Sequence, residues 1–369
     1  TEPRWYRTTY VFSESPELVK DMGKAYIEGF QTSSEASVIN NGWGFESVNA
    51  MVKHWPGGGP EEGGRDGHWA NGKFAVYPGN NIQDHLKPFT EGAFKLDGGT
   101  GKASAIMPYY TISYDIDDVY NENVGNGFSK YLISDLLRDT YGYDGVVCTD
   151  WGITDDEGPM PDTFAGKPWG VEGLSVEERH YKAIKAGVDQ FGGNNDKAPV
   201  LAAYRMGVKE FGEDYMRKRF ERSAVRLLKN ILRVGLFENP YVQLTQTKTI
   251  VGSPEFMKQG YDAQLKSIVL LKNKNQILPR KEKSTVYIPK IYTPLETGWF
   301  GNATPASFEY PVDTSLVKKY YNLTDDAREA DFAIVFVRSP QTKEAGYSRE
   351  DRKQGGNGYV PISLQYETY

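Results

Sequence analysis

The sequence is poor in the residues that make covalent cross-links and metal sites. It has one cysteine, Cys148, and four histidines among 369 residues. One cysteine excludes an internal disulfide and a cysteine-rich zinc site, and four scattered histidines argue against a histidine-based metal cage. We therefore expect no metal ion and no cofactor. The single cysteine leaves the redox compartment open.

Long hydrophobic runs and an excess of positive charge are also missing. No apolar stretch approaches the length of about 18 residues that a membrane span needs, and the mean hydropathy is −0.58. There are 43 Lys and Arg against 49 Asp and Glu, a formal net charge of −6. Such a chain has no basic surface to hold a phosphate backbone. We expect neither a membrane nor a nucleic acid as a partner.

Glycine, proline and aromatic residues are abundant instead. The chain has 39 Gly, 20 Pro and 13% aromatic residues, which indicates long structured loops between regular elements. Apolar residues at helical spacing alternate along the chain with short apolar runs that are typical of buried strands. The predicted helices cover residues 16–31, 82–94, 129–140, 176–186 and 214–236, and the predicted strands cover 48–52, 103–107, 145–149 and 187–191. Alternation of this kind specifies a parallel sheet.

The chain divides into two predicted domains. Residues 1–237 form the first domain, and residues 238–252, which are weakly apolar and contain Pro240, are predicted to be a linker. Residues 253–369 form the second domain. Its predicted elements are a helix over 254–273 and strands over 285–288 and 332–337. Because no initiator methionine or signal peptide is present, we interpret the chain as a fragment.

Polar residues follow several predicted strands, where a (β/α) barrel places its active site. They are Arg7, Lys53 with His54, Tyr110 and Asp150. Lys53 and His54 present two hydrogen-bonding cations, but neighbours on a strand point to opposite sides, so both face a ligand only if the chain bends at Trp55-Pro56. Lys53 fits a donor to a hydroxyl better than a Schiff-base nucleophile. Arg7 either binds a hydroxyl or pairs with an acidic residue.

Asp150 ends a predicted buried strand and is followed by Trp151 and Gly152. An aspartate in this place is often only a helix cap or a partner for loop backbone. A carboxylate that attacks an electron-poor sugar carbon must be ionised, partly desolvated and rigidly aimed, and a strand end beside a tryptophan supplies all three. Trp151 either stacks on a sugar ring or packs as a half-buried residue at the barrel rim.

Four segments, in this order, resemble glycoside hydrolase family 3, the β-glucosidases and their relatives. The family's Arg-Trp-Gly-Arg, Lys-His-Phe-Pro-Gly and Ser-Asp-Trp motifs appear here as Arg4-Trp5-Tyr6-Arg7, Lys53-His54-Trp55-Pro56-Gly57 and Thr149-Asp150-Trp151. Residues 267–273, followed by Leu278-Pro279, resemble the segment that opens the family's second domain. Tyr6 replaces the family's glycine, which changes the backbone approach beside Arg7.

The resemblance implies an α/β fold, with a (β/α)8 TIM-like barrel followed by an (α/β)6 sandwich domain, both incomplete in this chain. It also implies a retaining mechanism with Asp150 as nucleophile and a first sugar subsite lined by Arg7, Lys53, His54, Tyr110 and Trp151. Family members have further barrel strands before the first motif, including an aspartate that holds a sugar hydroxyl. The expected partners therefore include the remaining parts of the same polypeptide. The resemblance leaves room for a homodimer and favours a periplasmic or secreted location.

The leading hypothesis is a retaining exo-acting β-glycosidase, preferably a β-glucosidase, acting on β-linked oligosaccharides or aryl glucosides. The candidate acid/base is Glu344, whose surroundings loosely resemble the family's Gly-Glu-Gly-Tyr-Asp-Arg; it is otherwise an exposed loop glutamate. One alternative is an N-acetylhexosaminidase-like member that uses Asp66 and His68 as an acid/base dyad. Another is a catalytically inactive carbohydrate-binding homologue.

Overall fold

The computed structural model describes residues 4–5, 7, 10–158, 165–280, 282–297, 303–337, 348–356 and 358. Their contacts form two compact units. The first unit runs from the start of the chain to Val242 and includes the described residues after 347, and the second lies between Gln243 and Pro340. The boundary between the units falls within residues 238–252, the predicted linker.

The α-helices of residues 10–242 follow local sequence signals closely. They are α1 (Pro16–Gln31), α2 (Ile82–Lys87), α3 (Val176–Ala186), α4 (Lys197–Phe211) and α5 (Glu213–Arg233). The Ser15 side chain caps α1 by accepting a hydrogen bond from the Leu18 backbone, and the predicted capping box of Ser175 and Glu178 opens α3. In the described ranges, none of the helices combines the length and the apolar character that crossing a membrane requires.

Two predicted helices have wider turns than expected. The helix predicted over 82–94 is α2 followed by a π-helix, Pro88–Ala93, and Tyr131–Thr140 is a second π-helix. Pro88 has no backbone N–H to donate, so the α-helical hydrogen-bond ladder cannot continue unchanged through it. The helical character of both segments is confirmed.

A parallel sheet of three strands organises the first unit. The strands of this unit are β1 (Val38–Asn40), β2 (Trp43–Gly44), β3 (Met51–Trp55), β4 (Phe74–Ala75), β5 (Ala105–Pro108), β6 (Ile112–Ser113) and β7 (Val146–Val147). The parallel sheet has the order β3-β5-β7, and a parallel bridge from Cys148 to Gln190 extends it. β1 pairs with β2 antiparallel and β4 pairs with β6 parallel, in two separate sheets. Helical segments follow β3, β5 and β7 in sequence, as the predicted barrel requires.

The first predicted strand is wrong in its bounds and burial. Residues 48–52 were expected to form a buried strand, whereas β3 begins at Met51, ends at Trp55 and is exposed or half-buried over its first four residues. Within the described ranges β3 pairs only with β5, so its other edge meets no strand. Apolar residues alone did not reveal this position at a sheet edge.

The main core lies beside the central sheet. It brings together side chains from the strands and from the π-helices, including Trp55, Ile106, Val147, Ile133 and Leu137. The Trp55 indole N–H donates to the Leu132 carbonyl at 3.0 Å, which satisfies its one buried donor. This packing fixes the strands whose carboxyl ends carry the polar residues described below.

The second unit contains a smaller parallel sheet. Its elements are α6 (Leu244–Ile250), α7 (Pro254–Ser267), α8 (Thr314–Tyr320), β8 (Thr285–Tyr287), β9 (Ile291–Thr293), β10 (Glu296–Thr297), β11 (Ala303–Thr304), β12 (Ser307–Glu309), β13 (Asn322–Thr324) and β14 (Phe332–Ala333). A short helix, α9 (Arg349–Lys353), follows in sequence and belongs to the first unit. β8 lies between β13 and β14, both parallel to it. The helix predicted over 254–273 ends early, at Ser267, where the β-branched pair Ile268 and Val269 begins.

Candidate active site

Asp150 lies directly after β7, at the carboxyl end of the parallel sheet. The strand end is fixed by hydrogen bonds from Thr149 N to Gln190 O (2.9 Å) and from Gly192 N to Thr149 Oγ1 (2.8 Å). Asp150 is 7% exposed, and its Oδ1 accepts a hydrogen bond from the Trp151 backbone at 2.8 Å. Its Oδ2 makes no hydrogen bond of good geometry within the described ranges. The carboxylate is therefore buried and aimed by the backbone, with one oxygen unengaged.

Opposing effects act on the charge of Asp150. Burial raises the pKa of its carboxyl above the ordinary value. The hydrogen bond from Trp151 N, the nearby Tyr110 hydroxyl, and the charges of His68 and Lys53 limit that rise. The result is a poorly solvated carboxyl oriented by one backbone donor, which suits a nucleophile.

His54 lies against this carboxyl, with its Nε2 3.4 Å from Asp150 Oδ2. Burial lowers the pKa of His54 well below its ordinary value, and the charges of Lys53 and Arg7 lower it further. The imidazole is thus neutral at neutral pH. The prediction of two cations at this strand end is wrong for His54, which is a neutral hydrogen-bonding group.

A bulge in β3 brings Lys53 and His54 to one cavity. Lys53 lies opposite Met107 and Trp55 opposite Pro108, so the register shifts at His54. A bulge interrupts the alternation of a strand and re-aims side chains. Both residues line a cavity of about 710 Å³, which Arg7 also lines and which extends along α1. The peptide bonds Lys53–His54 and Trp55–Pro56 are both cis.

Two tyrosines follow β5, and they occupy different environments. The Tyr110 hydroxyl, predicted to line the sugar subsite, donates to the Trp151 carbonyl at 2.9 Å. The Tyr109 ring lies 4.4 Å from that of His54, and its buried hydroxyl makes no hydrogen bond within the described ranges. Tyr109 therefore belongs to the site, although the sequence interpretation named only Tyr110.

Asp66 and His68, the acid/base dyad of the alternative hypothesis, are in direct contact. Asp66 Oδ1 lies 2.5 Å from His68 Nδ1 and accepts the His68 backbone N–H at 2.8 Å, and Oδ2 accepts the Trp5 indole N–H at 3.1 Å. Burial acts to raise the pKa of Asp66, but the hydrogen bonds and charge of His68 outweigh it and lower the pKa. The His68 ring lies 4.9 Å from that of Tyr110, which places the pair beside Asp150. Arg7 lies nearby, 5.8 Å from the centre of the Trp5 ring.

Lys167 is a buried cation that the sequence interpretation missed. Its Nζ lies 5.3 Å from the centre of the Tyr110 ring. Burial lowers the pKa of Lys167 to about 8, against the opposing charges of Asp150, Asp155 and Asp66. Its sequence neighbours, Ala165, Gly166 and Pro168, form no chemical motif, so nothing in its local sequence marked it.

Trp151 is 55% exposed, and a pair of glycines supports its indole. A Cβ at Gly193 would lie 2.7 Å from Trp151 Cδ1, and one at Gly192 would lie 2.9 Å from Trp151 Cε3. The indole therefore rests on bare backbone beside Asp150. This arrangement favours a stacking surface over the alternative of a rim residue packed among side chains.

Two residues of the sequence interpretation, Tyr6 and Glu344, lie outside the described residues. The structure brings together Asp150, His54, Lys53, Arg7, Tyr110 and Trp151, and adds Tyr109 and Lys167. In the part of the chain that the structure describes, no three His, Cys, Asp or Glu side chains are grouped as metal ligands. The arrangement joins a buried carboxylate to several hydroxyl-binding groups and an aromatic surface.

Comparison with solved structures confirms the fold. A β-glucosidase from Listeria innocua in complex with glucose superposes with a TM-score of 0.64 at 22% identity, over 93% of this chain and 42% of that one. An exo-1,3/1,4-β-glucanase from Pseudoalteromonas superposes with a TM-score of 0.64 at 21% identity, over 95% of this chain and 55% of that one.

Sequence comparison identifies the family. A periplasmic β-glucosidase/β-xylosidase of Dickeya chrysanthemi is 40% identical over 79% of this chain and 43% of its own length. β-Glucosidase C of Emericella nidulans is 36% identical over 94% of this chain and 50% of its own length. The chain thus spans about half the length of these curated relatives. Residues 1–229 match the model of the glycosyl hydrolase family 3 N-terminal domain, which has a TIM-like barrel fold. The chain belongs to glycosyl hydrolase family 3.

Proposed function

We propose that the protein is a retaining exo-acting β-glycosidase, preferably a β-glucosidase, with Asp150 as its nucleophile. The observation that carries this proposal is the state of Asp150: buried at a strand end, oriented by the Trp151 N–H, and presenting Oδ2 beside a neutral imidazole. A neutral His54 leaves the charge of the carboxylate available for attack, whereas a protonated histidine would compensate it. The names of the D. chrysanthemi and E. nidulans relatives support β-glucosides as the substrate class.

The reaction has two steps. Asp150 Oδ2 forms a bond to the anomeric carbon while the bond to the leaving oxygen breaks, and that oxygen takes a proton from the acid. A water then attacks the anomeric carbon of the glycosyl-enzyme, gives its proton to the same acid/base residue, and releases Asp150. Two inversions at one carbon retain its configuration.

The other residues bind and stabilise the sugar. Lys53, Arg7 and His54 supply hydrogen bonds to ring hydroxyls, and bonds that strengthen as positive charge develops on the ring lower the barrier. Trp151 offers its exposed indole to the sugar or aglycone. Tyr110 holds the Trp151 carbonyl, so it positions the loop that carries both Trp151 and Asp150.

The acid/base residue of the proposal is Glu344. Retention needs the acid about 5 to 5.5 Å from the nucleophile. The support for Glu344 is its resemblance to the family's Gly-Glu-Gly-Tyr-Asp-Arg segment, in Lys343-Glu344-Ala345-Gly346-Tyr347-Ser348-Arg349. Glu350 and Asp351 are the neighbouring carboxyls that would replace it.

Asp150→Asn tests the proposal directly, because asparagine keeps the shape and the Trp151 hydrogen bond and removes the charge. In the natural full-length protein, hydrolysis of 4-nitrophenyl β-glucoside should fall by several orders of magnitude while thermal unfolding is unchanged or shifts upward. The matching N-acetylglucosaminide is assayed in parallel because the Asp66 and His68 pair is present. Faster hydrolysis of the N-acetylglucosaminide than of the glucoside would favour the hypothesis of an N-acetylhexosaminidase-like enzyme. Hydrolysis of neither substrate would favour the hypothesis of a catalytically inactive carbohydrate-binding homologue.

A further inference from the structure

Glu61 is a buried carboxyl in the glycine-rich loop between β3 and β4. It is 1% exposed. Its backbone pairs with Ala75 in an antiparallel bridge, and Val76 N donates to the neighbouring Pro60 carbonyl at 2.9 Å. The loop is thus anchored on both sides of Glu61, so its burial is imposed by the fold.

Neither carboxyl oxygen of Glu61 hydrogen-bonds to another side chain or to the backbone of another described residue. Burying a polar group without a partner costs free energy, and native proteins satisfy nearly all such groups. A buried, anchored and unpartnered carboxyl is therefore better explained by a ligand than by stability.

Glu61 shares a neighbour with the nucleophile. The charges of both Glu61 and Asp150 act on the Tyr109 phenol, so both carboxyls lie near it. The loop closes tightly on the same ring, since a Cβ at Gly67 would lie 3.2 Å from Tyr109 Cε1. The hydroxyl of Tyr109 is also without a partner in the described ranges. Asp150, Tyr109 and Glu61 thus each carry an unengaged oxygen.

The surroundings of Glu61 favour the protonated form of its carboxyl. Burial and the nearby Asp66 carboxylate raise the pKa of Glu61 well above its ordinary value, and its own backbone N–H and the charge of Arg7 oppose this only in part. A protonated carboxyl donates one hydrogen bond and accepts others, which matches the donor and acceptor capacity of an alcohol.

We propose that Glu61 binds a hydroxyl of the same sugar whose anomeric carbon faces Asp150, and so contributes to the choice of sugar. The inference rests on the proposed function. Glu61 and Asp150 both lie near Tyr109, whose ring packs against that of His54. A site built to bond a hydroxyl rejects an analogue that lacks it.

The test combines two kinds of variation in the natural full-length protein. The substrates are 4-nitrophenyl β-glucoside and its 2-, 3-, 4- and 6-deoxy analogues. The variants are Glu61→Met, which removes the polar group at similar volume, Glu61→Gln, whose neutral amide can still donate and accept, and Glu62→Met, a change at the adjacent exposed glutamate. kcat/KM is measured for each pair, together with thermal unfolding.

The expected result is coupling at one ring hydroxyl. Wild type and Glu62→Met should lose about 10- to 100-fold in kcat/KM when that hydroxyl is removed, whereas Glu61→Met should lose this factor on the parent glucoside and little more on the matching deoxy analogue. Glu61→Gln should restore most of the discrimination. Because the carboxyl has no hydrogen-bond partner to lose among the described residues, Tm of Glu61→Met should equal or exceed that of wild type.

Several results would overturn the inference. An equal loss on every sugar, with no single hydroxyl coupled to Glu61, would make Glu61 a structural residue. A wild type that is active but indifferent to the 2-, 3-, 4- and 6-hydroxyls would also refute the inference, whether or not any Glu61 variant folds. A wild type that hydrolyses no β-glucoside would overturn the proposed function, and this inference with it.

Discussion

Asp150 combines burial with the need to carry a charge, and the side chains around it reconcile the two. Burial raises the pKa of its carboxyl, so attack should fail at a higher pH than for an exposed aspartate, whose pKa is about 3.9. Only the ionised form attacks, so kcat/KM should fall as pH decreases through that raised pKa. A profile between pH 3 and 7 with an activated aryl glucoside measures it, since such a substrate needs no acid. The decrease of kcat/KM at low pH is the acid limb of this profile. An acid limb with its midpoint at or below the ordinary aspartate pKa would contradict this account.

Tyr110 should set the position of that acid limb. Its hydroxyl bonds the Trp151 carbonyl and lowers the pKa of Asp150. Tyr110→Phe keeps the ring and removes the donor, so the acid limb should move to higher pH by up to about one unit. Tyr77→Phe, which removes a hydroxyl bonded to Ser113, is the matched control and should leave the limb in place. An unchanged limb in Tyr110→Phe would show that the hydroxyl acts on the loop alone.

At the scale of elements, the segment after Gln190 supports the stacking surface. Gly193 has φ +71° and lies against the Trp151 indole. Gly193→Ala is strained in its backbone and crowds the ring, so the indole should shift and KM for an aryl glucoside should rise by about tenfold. Gly173→Ala, where a Cβ would meet nothing within 4 Å, is the control. Equal KM values for the two variants would remove Trp151 from substrate binding.

What the sequence predicts about these elements depends on how local their causes are. The start and end of α1 and the capping box of α3 follow from neighbouring residues, and both predictions are confirmed. The bounds and exposure of β3 depend on pairing with residues more than 50 positions away, and that prediction is wrong. The fold class needs only the alternation of elements, so it could be predicted without those details.

The features of the candidate site also divide into those with local causes, which the sequence predicts, and those that depend on distant residues. Asp150, Lys53, His54 and Arg7 lie in motifs that can be recognised one segment at a time. The burial of Lys167 and the hydrogen bond from Trp5 to Asp66, 61 residues apart, arise only when distant loops meet. The choice between Tyr109 and Tyr110 depends on the path of the chain after β5. The types of chemical group in the site could therefore be predicted from the sequence. The protonation states of these groups depend on contacts between distant segments, which only the folded structure shows.

For the whole molecule, the proposed mechanism needs a proton donor besides Asp150. Glu344→Ala should lower the rate of hydrolysis of a glucoside with a poor leaving group by about 10²- to 10⁴-fold. The first step of dinitrophenyl glucoside hydrolysis should keep its rate, because that leaving group needs no proton. Added azide should restore activity to the variant. Glu309→Ala, at an exposed glutamate of β12, should match wild type on both substrates. Normal rates on both substrates in Glu344→Ala would exclude it as the acid and direct the search to Glu350, Asp351 and His68.

The central claim is that Asp150 forms a covalent bond to the sugar. A 2-deoxy-2-fluoro β-glucoside with a good leaving group slows release of the glycosyl-enzyme, so incubation with the natural full-length protein should inactivate it in a time-dependent way. Peptide mass spectrometry should then find one fluoroglucosyl group, on Asp150 of the peptide that contains Thr149-Asp150-Trp151. Label on a different residue, or no label in a preparation that hydrolyses β-glucosides, would contradict the account.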